Sequence, residues 1–128
     1  MTMRSAKDLV AEANREVDTL SAEEALARLG QPDTMLVDVR EGEELAKTGR
    51  IAGAVHVPRG FLEFQADPES PTHKAELGGG RRLVLYGGSG NRSALAAKAL
   101  NDMGLGPVVH VAGGFPALAK AGGTVDPA

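Results

Sequence analysis

The residues best suited to chemistry form a glycine-rich loop between an apolar run and a helical pattern. The apolar run Leu83–Tyr86 is typical of a strand covered on both faces. A loop that ends on a helix N-terminus directs several backbone N–H groups toward one spot, where the helix dipole adds partial positive charge. Arg92 adds a full charge. The sequence therefore predicts an anion-binding loop made of Gly87, Gly88, Ser89, Gly90, Asn91, Arg92 and Ser93.

No residue of this loop offers an obvious catalytic group. Ser89 and Ser93 carry hydroxyls, but a serine nucleophile needs a base, and the loop contains no His, Asp or Glu. We expect Ser93 to cap the following helix or to steady the loop. The glycines match neither the dinucleotide-binding nor the P-loop pattern, so nucleotide binding is not predicted.

The elements around the loop alternate between strand and helix patterns. Helical spacing from Ser93 to Met103 ends at Gly104, and capping boxes at Ser5 and Ser21 begin two earlier helices, over about 6–15 and 22–29. A short helix over 41–48 and a last helix over 115–121 are also predicted. Strands are predicted within 17–20, 34–39, 51–57, 82–86 and 107–111. This rhythm indicates an α/β layer structure with a mostly parallel sheet.

Ligands of such sheets bind at the carboxyl ends of the strands, which here carry four further polar candidates. Asp38 and Arg40 follow one predicted strand, and His56 and Arg59 follow another. We expect Asp38 to pair with a nearby arginine or to accept loop N–H groups, and His56 to be packed and hydrogen-bonded. Arg59 either faces substrate or is simply solvated.

One ion pair and three apolar anchors can also be predicted. We expect Arg40 and Glu44 to form a structural pair. In the segment 59–77, which is irregular or weakly helical by its pattern, Phe61, Leu62 and Phe64 can anchor the chain.

Composition excludes several classes of function. The chain has 128 residues, is 42% hydrophobic and 24% charged, and has a net charge of −3, which suits one globular domain. It contains no cysteine, which excludes disulfides, thiolate catalysis and persulfide chemistry within it. The three histidines are far apart, so neither a metal nor a cofactor is predicted. No basic run or long apolar segment points to nucleic acid or membrane, and we expect a cytoplasmic protein.

Three ordered motifs resemble the rhodanese-like sulfurtransferases. They are Leu36-Val-Asp-Val-Arg40 with Glu44 and Gly49–Pro58, then Leu83–Ala97, then Gly113-Gly-Phe115. The resemblance covers roughly residues 17–123 and is similar to the single-domain bacterial branch. It implies a rhodanese-like three-layer α/β/α fold with a five-stranded, mainly parallel sheet. Residues 1–16 are then a helical extension packed on the outside, and residues 124–128 a frayed tail.

The resemblance also shows what this chain lacks. In the family, a cysteine after the central strand takes sulfane sulfur from thiosulfate, becomes a persulfide and passes the sulfur on. The matching position here is Gly87. The last helix has Leu118 where the family often carries a tryptophan.

Three functions remain open at this stage. The first is a catalytically silent module that binds a small oxyanion, such as thiosulfate or sulfate, or a protein partner. The second is an active thiosulfate sulfurtransferase represented here by a Cys-to-Gly variant. The third is a phosphate- or arsenate-handling relative, which the six-residue spacing from Gly87 to Arg92 disfavours because the resembling phosphatases use a longer loop.

Overall fold

A five-stranded parallel sheet forms the centre of the protein. The computed structural model of the protein describes residues 3–127. The sheet has the order β1 (Thr19–Leu20), β6 (Val109–Val111), β5 (Arg82–Tyr86), β2 (Thr34–Asp38), β4 (Val55–His56). All four pairings are parallel, and Thr34–Asp38 runs beside Arg82–Tyr86 along its whole length. The predicted α/β fold with a five-stranded sheet is confirmed.

In the described part of the chain, six α-helices complete the layers. They are α1 (Ala6–Glu16), α2 (Ala22–Arg28), α3 (Gly42–Thr48), α4 (Leu62–Ala66), α5 (Asn91–Asp102) and α6 (Gly114–Lys120), with short 3₁₀ turns at Arg59–Phe61 and Ala75–Leu77. Both predicted capping boxes are present, at Ser5 with Asp8 and at Ser21 with Glu24. Among residues 3–127, no helix is long and apolar enough to cross a membrane.

The central strand β5 supplies both faces of the core. Leu83 and Leu85 lie in the cluster that α4 and α5 cover, whereas Val84 and Tyr86 lie in the cluster that α2 and α6 cover. All four side chains are buried, as the consecutive large residues predicted. This burial on both faces fixes the end of β5, and with it the start of the loop at Gly87.

The extension and the tail are both integrated into the fold. Helix α1 packs on α5, and Ala13 is fully buried there. The prediction of a frayed tail is wrong for residues 124–127. Val125–Asp126 form β7, which pairs antiparallel with β3 (Arg50–Ile51), and the carbonyl oxygen of Thr124 accepts a hydrogen bond from the N–H of Ala52. Met1, Thr2 and Ala128 lie outside the described residues.

The anchoring of segment 59–77 also differs from the prediction. Leu62 is fully buried, but the side chains of Phe61 and Phe64 are 58% and 63% exposed. Helix α4 is amphipathic with Leu62 and Ala66 on its buried side, so the two phenylalanines fall on the solvent side.

Candidate functional site

The loop leaves β5 at Gly87 and enters α5 at Asn91. Gly90 has φ of 111°, a left-handed conformation that favours glycine at this position. Gly87 is buried, and its φ lies outside the left-handed region. A Cβ atom at Gly87 would lie 3.6 Å from the Ser93 nitrogen, 3.7 Å from Arg92 Cβ and 3.8 Å from Val39 Cγ2, all ordinary contacts. A side chain at position 87 would therefore be accommodated, directly over the start of α5.

The backbone N–H groups of residues 88–93 have no acceptor within the part of the chain described. The nearby hydrogen bonds run from Phe115 N–H to the Gly87 carbonyl and from Ala94 N–H to the Gly90 carbonyl. Six consecutive donors next to the N-terminus of a 12-residue helix give a local positive potential. This arrangement suits a small anion.

The charge of Arg92 is already engaged by a carboxylate. Its Nη1 and Nη2 each donate a 2.7 Å hydrogen bond to one of the two oxygens of Glu44. The predicted Arg40–Glu44 pair is therefore wrong, because Glu44 faces the loop arginine rather than its own neighbour in sequence. Hydrogen bonds from Arg92, assisted by the Glu41 N–H, lower the pKa of Glu44 from 4.5 to about 2 despite its partial burial. The carboxylate is thus ionised at neutral pH.

Arg40 instead pairs with Asp38 inside the protein. The guanidinium donates to both carboxylate oxygens of Asp38, with distances from 2.8 to 3.2 Å, and also to Thr48 Oγ1 and the Gly49 carbonyl. Burial alone would lower the pKa of Arg40, but the hydrogen bonds and charge of Asp38 raise it above its ordinary value. The guanidinium carbon lies 4.3 Å from the centre of the Phe115 ring. This pair joins the end of β2 to the start of α6.

The side chain of His56 contacts the backbone, and that of Arg59 forms a surface ion pair; neither takes part in the loop. His56 Nε2 lies 2.7 Å from the Arg40 carbonyl, as expected of a packed histidine. Arg59 donates a 2.7 Å hydrogen bond to Glu63 one helical turn later. Neither side chain contacts residues 87–93 among the hydrogen bonds of the described chain.

Ser93 is connected to a residue that the sequence interpretation did not select. Its hydroxyl lies 3.2 Å from the Gly90 carbonyl and 3.0 Å from Nδ1 of the buried His110. His110 Nε2 in turn contacts Thr19 Oγ1 and Asn14 Oδ1. Burial lowers the pKa of His110. Ser93 thus steadies the loop, as one of its two expected roles, and the histidine ties that loop to α1 and β1.

A small cavity of about 230 Å³ opens beside the loop. Its lining includes Gly88, the Arg40 and Glu44 side chains, and the apolar residues Phe115 and Pro116. Ser89 and Asn91 are exposed at the rim of the loop. Within residues 3–127, no group of three or more His, Asp or Glu side chains could hold a metal ion.

Comparison with known proteins places this geometry in a family. A family model described as "Rhodanese-like domain" matches residues 21–121. A protein named "Sulfurtransferase" from Allochromatium vinosum is 33% identical over 107 residues, which cover 84% of this chain and 90% of that protein.

Two solved structures illustrate the fold. A protein of unknown function from Rhodopseudomonas palustris, described as a possible tyrosine phosphatase, is 41% identical with a TM-score of 0.92; the match covers 98% of this chain and 97% of that one. A thiosulfate sulfurtransferase from Pseudomonas aeruginosa is 25% identical with a TM-score of 0.76, and the match covers 95% of this chain and 22% of that one. The fold, the loop and the sequence match agree: this chain belongs to the rhodanese-like family.

Proposed function

We propose that this protein is a rhodanese-like domain that binds a small oxyanion, such as thiosulfate or sulfate, at residues 87–93 without transferring sulfur. The observation that carries the proposal is Gly87, which stands at the end of β5 over six unpaired N–H donors, in a chain without cysteine. Anion binding needs the donors and the helix dipole, and both are present. Sulfur transfer needs a thiolate, which this chain cannot supply.

No other side chain near the loop is suited to replace the thiol. The Ser93 hydroxyl is fully buried and held by Gly90 and His110. The Tyr86 hydroxyl accepts a hydrogen bond from the Ile51 N–H, and burial raises the pKa of Tyr86 above its ordinary value. Ser89 is exposed and makes no side-chain hydrogen bond to a base among the described residues. An oxygen nucleophile would also not form a persulfide.

The Glu44–Arg92 pair sets the strength of this binding site. Because both oxygens of Glu44 are bound to the guanidinium, an incoming anion meets a neutralised arginine and the helix N-terminus. We therefore expect weak, millimolar-range oxyanion binding that becomes tighter when Glu44 loses its charge. We also propose a protein partner whose cationic group binds Glu44. A cytoplasmic location, which the sequence predicts, is proposed as well.

The first alternative is an active sulfurtransferase represented here by a Cys-to-Gly variant. In that case the thiolate of Gly87→Cys attacks the sulfane sulfur of thiosulfate, the sulfur–sulfur bond breaks and sulfite leaves. Cyanide then takes the sulfur as thiocyanate and returns the thiolate. The space at position 87 supports this reading, because a new Cβ would make only ordinary contacts. Robust turnover by Gly87→Cys, with a mass increase of one sulfur atom on thiosulfate alone, would show that the rest of the loop is competent for sulfur transfer, whereas no turnover would show that the site has drifted from catalysis and would exclude this alternative.

The second alternative is phosphate or arsenate handling. It is motivated by the Rhodopseudomonas palustris neighbour that is described as a possible tyrosine phosphatase. It too would need a nucleophile that this chain lacks. A clear preference for phosphate over thiosulfate in competition would support it.

The direct test is a titration of the isotope-labelled protein with thiosulfate, sulfate and phosphate, followed by amide NMR. We expect shifts centred on the amides of residues 88–93 and no thiocyanate formation above background when cyanide is added. Shifts elsewhere only, or measurable thiocyanate from this cysteine-free chain, would overturn the proposal. The matched variant Arg15→Gln removes one cation from the exposed end of α1 and should leave the titration unchanged.

A further inference from the structure

A second cleft, lined by unpaired arginines, lies at the end of the sheet opposite the loop, where the strands begin. It has a volume of about 370 Å³ and lies where β1, β6, β5 and β2 begin. Arg28, at the end of α2, and Arg82, the first residue of β5, both line it. Within residues 3–127, neither guanidinium takes part in a hydrogen bond or an ion pair. The loop of residues 87–93 follows the other end of β5, so the length of that strand separates the cleft from the loop.

An unsatisfied hydroxyl lies in the wall of the same cleft. Thr34 Oγ1 is one of two buried side-chain polar atoms of the described chain that have no hydrogen-bond partner, the other being Gln65 Oε1. Buried polar groups are nearly always satisfied, so this hydroxyl of a cleft-lining residue is free to take a partner that the described chain does not supply. This observation is independent of the two arginines.

The remaining lining defines what would fit. Pro107 offers exposed apolar surface, the largely buried Val109 adds only its margin, and Asp18 contributes one carboxylate that makes no side-chain hydrogen bond within the described residues. Two guanidinium groups against one carboxylate leave a net positive charge, and guanidinium groups bind carboxylates and phosphates in preference to other anions. An apolar body beside the charged group would cover Pro107 and the exposed margin of Val109.

From these contacts we infer that the cleft at the start of β1, β6, β5 and β2 binds a small organic anion, an oxyanion group carried on an apolar skeleton. The oxyanion lies between Arg28 and Arg82, and the apolar part rests on Pro107. A hydroxyl or amine on the ligand is accepted by Asp18. This binding site does not depend on the function proposed for the loop.

The experiment compares three probes by amide NMR on the full chain at low ionic strength: phenyl phosphate, inorganic phosphate and the neutral benzyl alcohol. We expect phenyl phosphate to shift the amides of Thr34, Arg82 and Val109, and to bind more tightly than either of the other two probes. Arg28→Gln and Arg82→Gln should each weaken its binding about two- to fivefold, as loss of an exposed ion pair does. The matched control Arg15→Gln should not.

A further variant tests the orphaned hydroxyl. Thr34→Val keeps the shape but removes Oγ1, so it should weaken phenyl phosphate binding while leaving the free protein at least as thermally stable as before. Shifts confined to residues 88–93, equal affinity for benzyl alcohol, or equal weakening by Arg15→Gln would overturn the inference. Because thiosulfate binding is read at residues 88–93 and phenyl phosphate binding at residues 34, 82 and 109, the two binding sites fail or succeed separately.

Discussion

Replacing Glu44 by glutamine tests how the ion pair controls the loop. Glutamine keeps the size of the side chain and removes the negative charge that now engages both nitrogens of Arg92 at 2.7 Å. An oxyanion over the loop then meets a full guanidinium charge and no repelling carboxylate. We expect Glu44→Gln to bind thiosulfate more tightly than the unmodified protein.

The size of this effect follows from the geometry. Glu44 Oε1 lies 3.5 Å from the place where a Cβ of Gly88 would stand, which puts the carboxylate near any anion held by the loop. For unit charges about 6 Å apart and an effective dielectric constant of about 40 to 80, the repulsion is about 0.7 to 1.4 kcal/mol. Removal of that repulsion corresponds to a gain in affinity of roughly threefold to tenfold.

The assay is a thiosulfate titration followed by the amide shifts of residues 88–93. Glu43→Gln is the matched control, because Glu43 is exposed on the same helix and its replacement changes the net charge equally. Its affinity should stay within about twofold of the unmodified protein, since exposed charges are largely screened. Unchanged affinity in Glu44→Gln, or an equal gain in Glu43→Gln, would refute the account of the ion pair.

The same ion pair gives a pH dependence of stability. The pKa of Glu44 is lowered to about 2 in the folded protein from an ordinary 4.5, so its stabilisation is fully present above pH 4.5 and is lost as the pH falls toward 2. Both side chains are about one-third exposed, which limits the contribution to about 1 kcal/mol or less. The difference in melting temperature between the protein and Glu44→Gln should shrink over that range. A constant difference would contradict the assignment.

Four further substitutions test the scaffold, each by urea unfolding. Asp38→Asn leaves the buried Arg40 without its charge partner and should lower the free energy of unfolding by about 3 kcal/mol or more; a loss below about 1 kcal/mol would refute the buried pair. Gly87→Ala should stabilise by about 0.4–1 kcal/mol, because its φ and its contacts accept a Cβ. Gly114→Ala, with φ of 59° and a Cβ that would overlap the Gly87 carbonyl, should destabilise; similar effects at both glycines would contradict this reasoning. Tyr86→Phe removes the acceptor of the buried Ile51 N–H and should cost about 1–3 kcal/mol, whereas unchanged stability would show that this bond contributes nothing.

Local signals in the sequence predicted local structure well. The capping boxes at Ser5 and Ser21 depend on residues three positions apart, and both are present. The apolar run of β5 predicted a strand buried on both faces, and the neighbouring elements do cover it on each side. The change from large apolar residues to glycines at Gly87 predicted the end of β5 and the start of the loop.

Partners distant in sequence could not be predicted in the same way. Glu44 is four residues from Arg40 but pairs with Arg92, 48 residues away, because the fold brings α3 against the start of α5. No motif marked His110 as part of the site. Its place in β6 between the buried Val109 and Val111 did, however, indicate a buried histidine that needs hydrogen-bond partners. The tail pairs with Arg50–Ile51, a contact that only the folded chain creates.

The most direct test of the central claim is a thiosulfate:cyanide assay on the protein and on Gly87→Cys, prepared identically and measured side by side. The thiol is the missing part of an otherwise intact loop, and this is the claim under test. It therefore predicts thiocyanate formation at background for the protein as it is, and turnover with a persulfide of one added sulfur atom for Gly87→Cys. Thiocyanate formation above background by the cysteine-free protein, or no turnover by Gly87→Cys, would contradict it.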